Sequence, residues 1–319
     1  MKKYAYDHHF EVIPKMTNKE FEIIIKNNLK RFCPEADLGY KISEGDAGKR
    51  YDNYYTNKAF LKFLSKMKNS AYHHYVQYKK GKGGELDETK GRYGLTPPKM
   101  ACVTSSSRFC YLALQNGGKA LGITGKAVFE VGCKIDGIDR IAPQLDACFP
   151  DENVYVEVKC QEIFTPHKPV LKEAYRNLIY GRNNQFGFPE KAKSRDLTFE
   201  IPLAEFGIKK SSSMFDIKQF LCHLMGIASQ KKAHGSAALV YLFFRPVSDD
   251  EQVEKKISRL FDDLKSEISS IFSSAPIRSF TEKNNIKLMA VAERDYIMQE
   301  LTCENIEILY PICEADRYE

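Results

Sequence analysis

The sequence predicts an α/β protein: a central mixed β-sheet flanked by helices, with an additional basic, mainly helical N-terminal lobe. Three observations carry this expectation. Between residues 104 and 244 the elements read helix, strand, strand, strand, helix, strand, the kind of succession that packs helices onto a sheet. Ser236-Ala-Ala-Leu-Val-Tyr-Leu-Phe-Phe244 is an almost unbroken apolar run, as expected of a strand buried on both faces. The basic excess sits at one end: residues 1–100 hold 20 Lys or Arg against 12 Asp or Glu, while the other 219 hold 28 against 30. At 319 residues the chain exceeds the usual size of a single core. The expected division is a lobe at 1–100 and a domain at 101–319 with an insertion at 165–212.

Taken in order, Thr17-Asn-Lys-Glu20 is a capping-box pattern, followed by Phe21, Ile24, Ile25 and Leu29 at helical spacing. A second helical stretch covers 57–80, with Phe60, Leu61, Leu64 and Met67 on one side. The glycine- and charge-rich residues 79–94 read as a mobile loop, and they lack the G-x-x-x-x-G-K-[ST] pattern of a phosphate-binding loop. Thr104-Ser-Ser-Ser107 caps a helix through Leu114, which Asn116-Gly-Gly118 ends. Strands follow at 126–135, 144–149 and 154–160. The insertion carries nine Lys or Arg against five acids and an expected helix around 170–179. Ser213-Met-Phe-Asp216 starts the next helix, with Phe220, Leu221, Leu224 and Ile227 inward. After the apolar strand, Asp249, Asp250 and Glu251 open a long helix, where the dipole favours acids, and Ile257, Leu260, Phe261, Leu264, Ile268 and Ile271 form its stripe. Residues 287–291 form a last strand.

No apolar run approaches the roughly 20 residues of a membrane helix, and the N-terminus lacks a signal-peptide apolar region, so a soluble, cytoplasmic protein without a membrane partner is expected. The cysteines number nine, an odd count without a C-x-x-C pair, and read as reduced core thiols. H-E-x-x-H and G-x-S-x-G do not occur, which excludes zinc proteases and nucleophile-elbow hydrolases in their usual forms. The adjacent histidines of His8-His9 and His73-His74 point apart on any regular element.

The most informative stretch is a hairpin. Gln144-Leu-Asp-Ala-Cys-Phe149 and Val154-Tyr-Val-Glu-Val-Lys-Cys160 are joined by Pro150-Asp-Glu-Asn153, so Phe149 pairs with Val154 and counting back sets Asp146 opposite Glu157. Like charges facing each other at roughly 4.5–5.5 Å are destabilising, which calls for a cation between them. Alternation places Glu157, Lys159 and Gln161 on one face and Val154, Val156, Val158 and Cys160 on the other, so that the valine side reads as core and the charged side as a site. The chain has five carboxylate-x-Lys triplets, and only this one lies on a strand with apolar alternates and an acid across a hairpin.

Asp146, followed eleven positions later by Glu157-Val158-Lys159 on the next strand, resembles the PD-(D/E)XK nuclease superfamily, whose core is restriction-endonuclease-like. The likeness covers roughly residues 100–245, with the specific motif confined to 144–161. Phe129-Glu130, Gln144-Leu-Asp146 and Glu157-Val-Lys159, with the preceding Ser105-Ser-Ser107 helix, are similar to a bacterial branch of predicted endonucleases. Leu145 stands where the family often has proline. Arg108–Gln115 lacks the acid often found on the first core helix, and Glu130 is the substitute expected here. The resemblance implies a metal-dependent endonuclease acting on DNA, of restriction or defence type by fold analogy. It implies Mg²⁺, with Mn²⁺ as a substitute, held by Asp146, Glu157 and the backbone carbonyl of Val158. Lys159 would orient or deprotonate the attacking water or stabilise developing charge, and Gln161 would position water or phosphate. The chemistry agrees, since Mg²⁺ takes hard oxygen ligands, one or two of them carboxylates, and keeps waters.

Gln219 and His223, four apart, share a helix face, and the related branch implies a place near the phosphate or leaving group; a solvent-facing pair is the plainer alternative. Lys79, Lys80 and Lys82 in the glycine-rich stretch are expected DNA contacts. Tyr51, Tyr54, Tyr55, Tyr72, Tyr75 and Tyr78 are interleaved with bases, and packing is the favoured reading over base stacking. The expected partner is double-stranded DNA, with homodimerisation left open. Two other functions remain: a nucleic-acid-binding module that has lost catalysis, and a metabolite-binding or assembly protein whose hairpin salt bridge is structural.

Overall fold

The computed structural model describes residues 14–32, 37–42, 50–77, 84–91, 94–117, 123–138, 142–189, 197–230 and 235–291. Among them lie eight α-helices and eleven β-strands. Helix α1 (Asn18–Phe32) opens on the capping box: Thr17 Oγ1 accepts from the Glu20 N–H, and Glu20 Oε2 accepts from the Thr17 N–H at 2.7 Å. It buries Phe21, Ile24 and Ile25, and Phe21 meets Phe164 and Phe244 edge-on. Next come a hairpin of β1 (Leu38–Lys41) and β2 (Arg50–Tyr55), helices α2 (Asn57–Lys66) and α3 (Asn69–Gln77), and a second antiparallel pair, β3 (Thr89–Gly91) and β4 (Gly94–Thr96).

The described part of the N-terminal hundred residues holds most of its regular structure in helices, with two short antiparallel pairs added to them. Its apolar side chains join the same buried cluster as those of the sheet. The expected helix at 57–80 is broken at Met67, whose ψ of 136° is extended. The break is held by tertiary bonds from Lys68, whose N–H reaches the Tyr111 hydroxyl and whose ammonium reaches the Gln115 carbonyl at 2.7 Å. Of the stretch read as a mobile loop, residues 84–86 are packed: Glu85 and Leu86 are buried, and the carbonyls of Gly84 and Glu85 accept from the Lys99 and Met100 N–H groups. Lys79, Lys80 and Lys82 lie outside the described residues. Tyr55 and Tyr75 are core residues and Tyr72 is exposed, in keeping with packing for most of that cluster.

Helix α4 (Ser106–Leu114) is capped by Ser105, which accepts from the Arg108 N–H. Strands β5 (Val128–Gly132), β6 (Gln144–Phe149) and β7 (Val154–Lys159) form an antiparallel meander. In the insertion, β8 (Val170–Lys172) pairs with β9 (Thr198–Glu200), and among its described residues the one α-helix is α5 (Arg176–Ile179), which continues a 3-10 turn at Glu173–Tyr175. The helix expected around 170–179 is thus a strand at its start, where Pro169 precedes a β-branched residue and Leu171 pairs with Phe199.

Helix α6 (Ile217–Gln230) leads to β10 (Ala237–Phe243), and α7 (Glu251–Ser273) and α8 (Ala275–Lys283) lead to β11 (Ile286–Val291). The five strands lie in the order β11-β10-β7-β6-β5. Strand β10 runs parallel to both neighbours, so α6 and the α7–α8 pair serve as the crossovers that parallel pairing requires. The sheet is therefore mixed, with β10, β7 and β6 each paired on both sides. Helix α4 packs on β6 and β7. Helix α6 comes close enough at Gly226 that a Cβ there would sit 2.6 Å from the Cys133 carbonyl oxygen. Cys110, Cys133, Cys148, Cys160 and Cys222 are buried free thiols.

Candidate functional site

The β6–β7 turn pairs Phe149 with Val154, Cys148 with Tyr155 and Ala147 with Val156. Extending that count leads to Asp146 and Glu157, as the sequence suggests, yet the backbone ladder ends at Ala147. Beyond it the Asp146 side chain takes a ladder position, with Oδ2 accepting from the Val158 N–H at 2.7 Å. The carboxylate occupies the gap where β6 and β7 part. On its other side, the pairs Phe129–Ala147 and Val131–Leu145 bring Glu130 level with Asp146. Glu130 has φ +55°, a left-handed conformation that costs a side-chain-bearing residue roughly 1–2 kcal/mol.

Glu157 is 3% exposed. Its Oε1 accepts from Lys159 Nζ at 2.6 Å and from Gln219 Nε2 at 2.9 Å, while Lys159 also donates to Gln219 Oε1 at 2.7 Å. The three side chains close a ring. The charged face of β7 is therefore covered by α6, and the exposed salt bridge that would have made this hairpin ordinary is not what forms. The position of Gln219 is set from the start of α6, where the Asp216 carboxylate accepts its N–H at 2.9 Å.

His223, one turn further, is buried. Its Nε2 lies 2.9 Å from the Gln144 carbonyl oxygen and its Nδ1 3.3 Å from the Tyr241 hydroxyl. A carbonyl only accepts, so Nε2 carries the proton. Burial, the largest influence, moves the imidazole pKa down, which leaves Nδ1 to accept from Tyr241. Glu157 Oε2 lies 3.8 Å from Nε2. Neither Gln219 nor His223 faces solvent as a surface pair would, and both nitrogens of His223 are occupied by protein, which makes it a positioning residue.

Burial pushes the Asp146 carboxyl well above the usual range; Glu157 and Glu130 push it further, against Lys159 and the Val158 N–H. For Lys159 burial opposes the charge, but the carboxylates of Glu157, Asp146 and Glu162 outweigh it and raise the ammonium pKa.

Gln161 departs from expectation. Strand β7 ends at Lys159, and Gln161, with φ −98° and ψ −4°, opens a short 3-10 turn instead of continuing the charged face. Its Oε1 and Glu157 Oε2 are buried and accept no hydrogen bond. Three nearby polar residues were not singled out from sequence. Glu162 accepts the Cys160 N–H at 2.7 Å, Asp216 accepts the Gln219 N–H, and Tyr241 pairs in register with Glu157 across the parallel β7–β10 junction. A tyrosine within the apolar run was the available signal for the last, but its partner depends on parallel pairing.

No group of three or more His, Cys, Asp or Glu side chains among the described residues is gathered so as to hold a metal ion. A hard divalent ion needs less, since Mg²⁺ is commonly held by one or two carboxylates and its own waters. Asp146 and Glu157 supply that chemistry, and the donorless Glu157 Oε2 is the oxygen that a cation would satisfy. Val158, whose carbonyl would be a further ligand, is fully buried and tied to Asp146 through its N–H. No helix among the described residues is long and apolar enough to cross a membrane.

No family model matches the chain, and neither a curated protein nor a solved structure matches it.

Proposed function

We propose that this chain is a Mg²⁺-dependent endonuclease that hydrolyses phosphodiester bonds in DNA, with a restriction-endonuclease-like core centred on Asp146, Glu157 and Lys159. The observation that carries the reading is a buried carboxylate–ammonium pair beside a second carboxylate of raised pKa, with one buried carboxylate oxygen lacking a donor. Such a group does not stabilise a fold cheaply. Desolvating an ion pair offsets most of its attraction, and a buried acceptor without a donor costs about 1–3 kcal/mol. Perturbed titratable groups gathered in this way are characteristic of sites that do chemistry. The left-handed Glu130 beside them adds local strain of the kind that collects at such sites.

Bound by Asp146 and Glu157, with the Val158 carbonyl, Mg²⁺ would neutralise phosphate charge and acidify a water. The rest falls to the chain itself. Lys159, held charged by its carboxylate neighbours, serves as a hydrogen-bond donor and positive charge toward the phosphoryl oxygens rather than as the base. Gln219 fixes the ammonium and Glu157 in one arrangement, and His223 ties α6 to β6 and β10, so the acidic group keeps its spacing. Gln161 Oε1, which accepts no bond from the protein, would position a water by accepting a hydrogen bond from it. Overall, the water oxygen bonds to phosphorus and releases a proton to solvent, the bond from phosphorus to the leaving oxygen breaks, and that oxygen takes a proton from solvent.

The test is plasmid nicking with Mg²⁺ and then with EDTA. Asp146→Ala and Lys159→Ala are each expected to lower the metal-dependent rate by about 10²-fold or more. Undiminished nicking in either variant overturns the assignment. Tight DNA retention without cleavage under any divalent ion would identify a binding module instead.

A further inference from the structure

We infer that a cleft beside the proposed active site, lined by Lys15, Lys210, Lys256 and Arg259, takes the phosphodiester backbone of the DNA flanking the scissile bond. This rests on the endonuclease reading and names where that substrate lies. The cleft has a volume of about 260 Å³ and is walled by the residues before α1, the 163–166 segment, the 210–214 segment and α7. Four cationic side chains line it against one acid, Asp263. Acids outside the lining also stand at its cations, among them Glu20, which holds Lys256 at 2.8 Å, and Glu267, 3.8 Å from Lys210. Glu267, however, is buried and turned inward, its Oε1 accepting from the Met214 and Phe215 N–H groups. Lys15, Lys210 and Arg259 are exposed.

Two of the cleft walls are continuations of the site. The 163–166 segment follows Lys159 and Gln161 directly, and the 210–214 segment leads through Asp216 into Gln219. The two are bonded to each other, the His167 N–H to the Ser213 carbonyl at 2.8 Å and the Ser213 N–H to the His167 carbonyl at 2.9 Å. Five residues from Lys159 to Phe164 reach at most about 18 Å, roughly five base-pair steps of a duplex. A strand with its reacting phosphate at Asp146 and Glu157 therefore has neighbouring phosphates within range of this cleft. Point charges on long side chains suit such contacts, which position the duplex without reading its sequence.

The experiment measures duplex DNA binding by fluorescence anisotropy in EDTA, over a series of salt concentrations, on an Asp146→Asn background so that cleavage cannot intervene. Each phosphate contact contributes about 0.9 to the slope of log affinity against log salt. Adding Lys15→Ala, Lys210→Ala and Arg259→Ala is expected to make the slope shallower by about 2.7 and to weaken binding at least about tenfold at physiological salt. The Lys15→Ala, Lys210→Ala pair alone, which leaves α7 untouched, is expected to lose about 1.8. A control removing the exposed Arg278, Lys283 and Lys287 of α8 and β11 makes the same change in net charge and should leave the slope within about 0.5 of the parent value. Equal losses in cleft and control variants, or none in the cleft variants, overturn the inference while metal-dependent nicking by the unsubstituted chain still stands. If the unsubstituted chain neither binds nor nicks DNA, the endonuclease reading fails, and this inference with it.

Discussion

Replacing Lys159 by methionine keeps an unbranched stem of four atoms, with sulfur in place of Cδ, and removes the ammonium. Glu157, 3% exposed, then loses its 2.6 Å partner, and Gln219 Oε1 loses the donor 2.7 Å away. Removing one member of a buried pair costs about 3–5 kcal/mol, whereas an exposed pair is worth about 0–1 kcal/mol. The side chains of Lys159 and Glu157 are 13% and 4% exposed, which places the expected loss in the first range. Urea unfolding in EDTA near pH 7 would read it as a lower midpoint with an unchanged slope. Adding Glu157→Gln to Lys159→Met removes the stranded charge and should recover most of the loss. A loss below about 1 kcal/mol for Lys159→Met would refute the claim that the pair is desolvated, and with it the argument that its cost demands a function.

Three further outcomes are expected. Asp146 has a raised folded pKa, so its contribution to stability is complete below its unfolded pKa of about 3.9 and is lost as pH rises through the folded value. Asp146→Asn should therefore stabilise the metal-free chain near pH 7 and flatten its stability in that window; a variant less stable than the parent there would contradict this. His223 has a lowered folded pKa, so its contribution holds above about pH 6.5 and is lost as pH falls toward the folded value; nitrogen chemical shifts should show a neutral ring protonated at Nε2 near pH 7, and an imidazolium signal would refute the assignment. Gly226→Ala should cost about 1–3 kcal/mol in unfolding experiments, because its methyl would meet the Cys133 carbonyl at 2.6 Å, and a neutral result would mean that α6 can withdraw from the sheet.

What could be read from the sequence was local. The Thr17–Glu20 capping box, the Ser105 cap, the β6–β7 turn register and the apolar β10 all follow from neighbours within a few residues, where spacing and turn chemistry act directly. Asp146, Glu157 and Lys159 could be singled out for the same reason, since hairpin alternation is a short-range rule. Contacts distant in sequence decided the remainder. Lys68 breaks the α2–α3 stretch by bonding to Tyr111 and Gln115, and pairing with Phe199 draws Leu171 into a strand. Parallel pairing sets Tyr241 beside Glu157, and the close approach of α6 turns a charged strand face, which periodicity would leave open to water, into a buried ring with Gln219. Periodicity specifies which side of a strand is polar, but what covers that side is settled only when a helix sixty residues away packs against it.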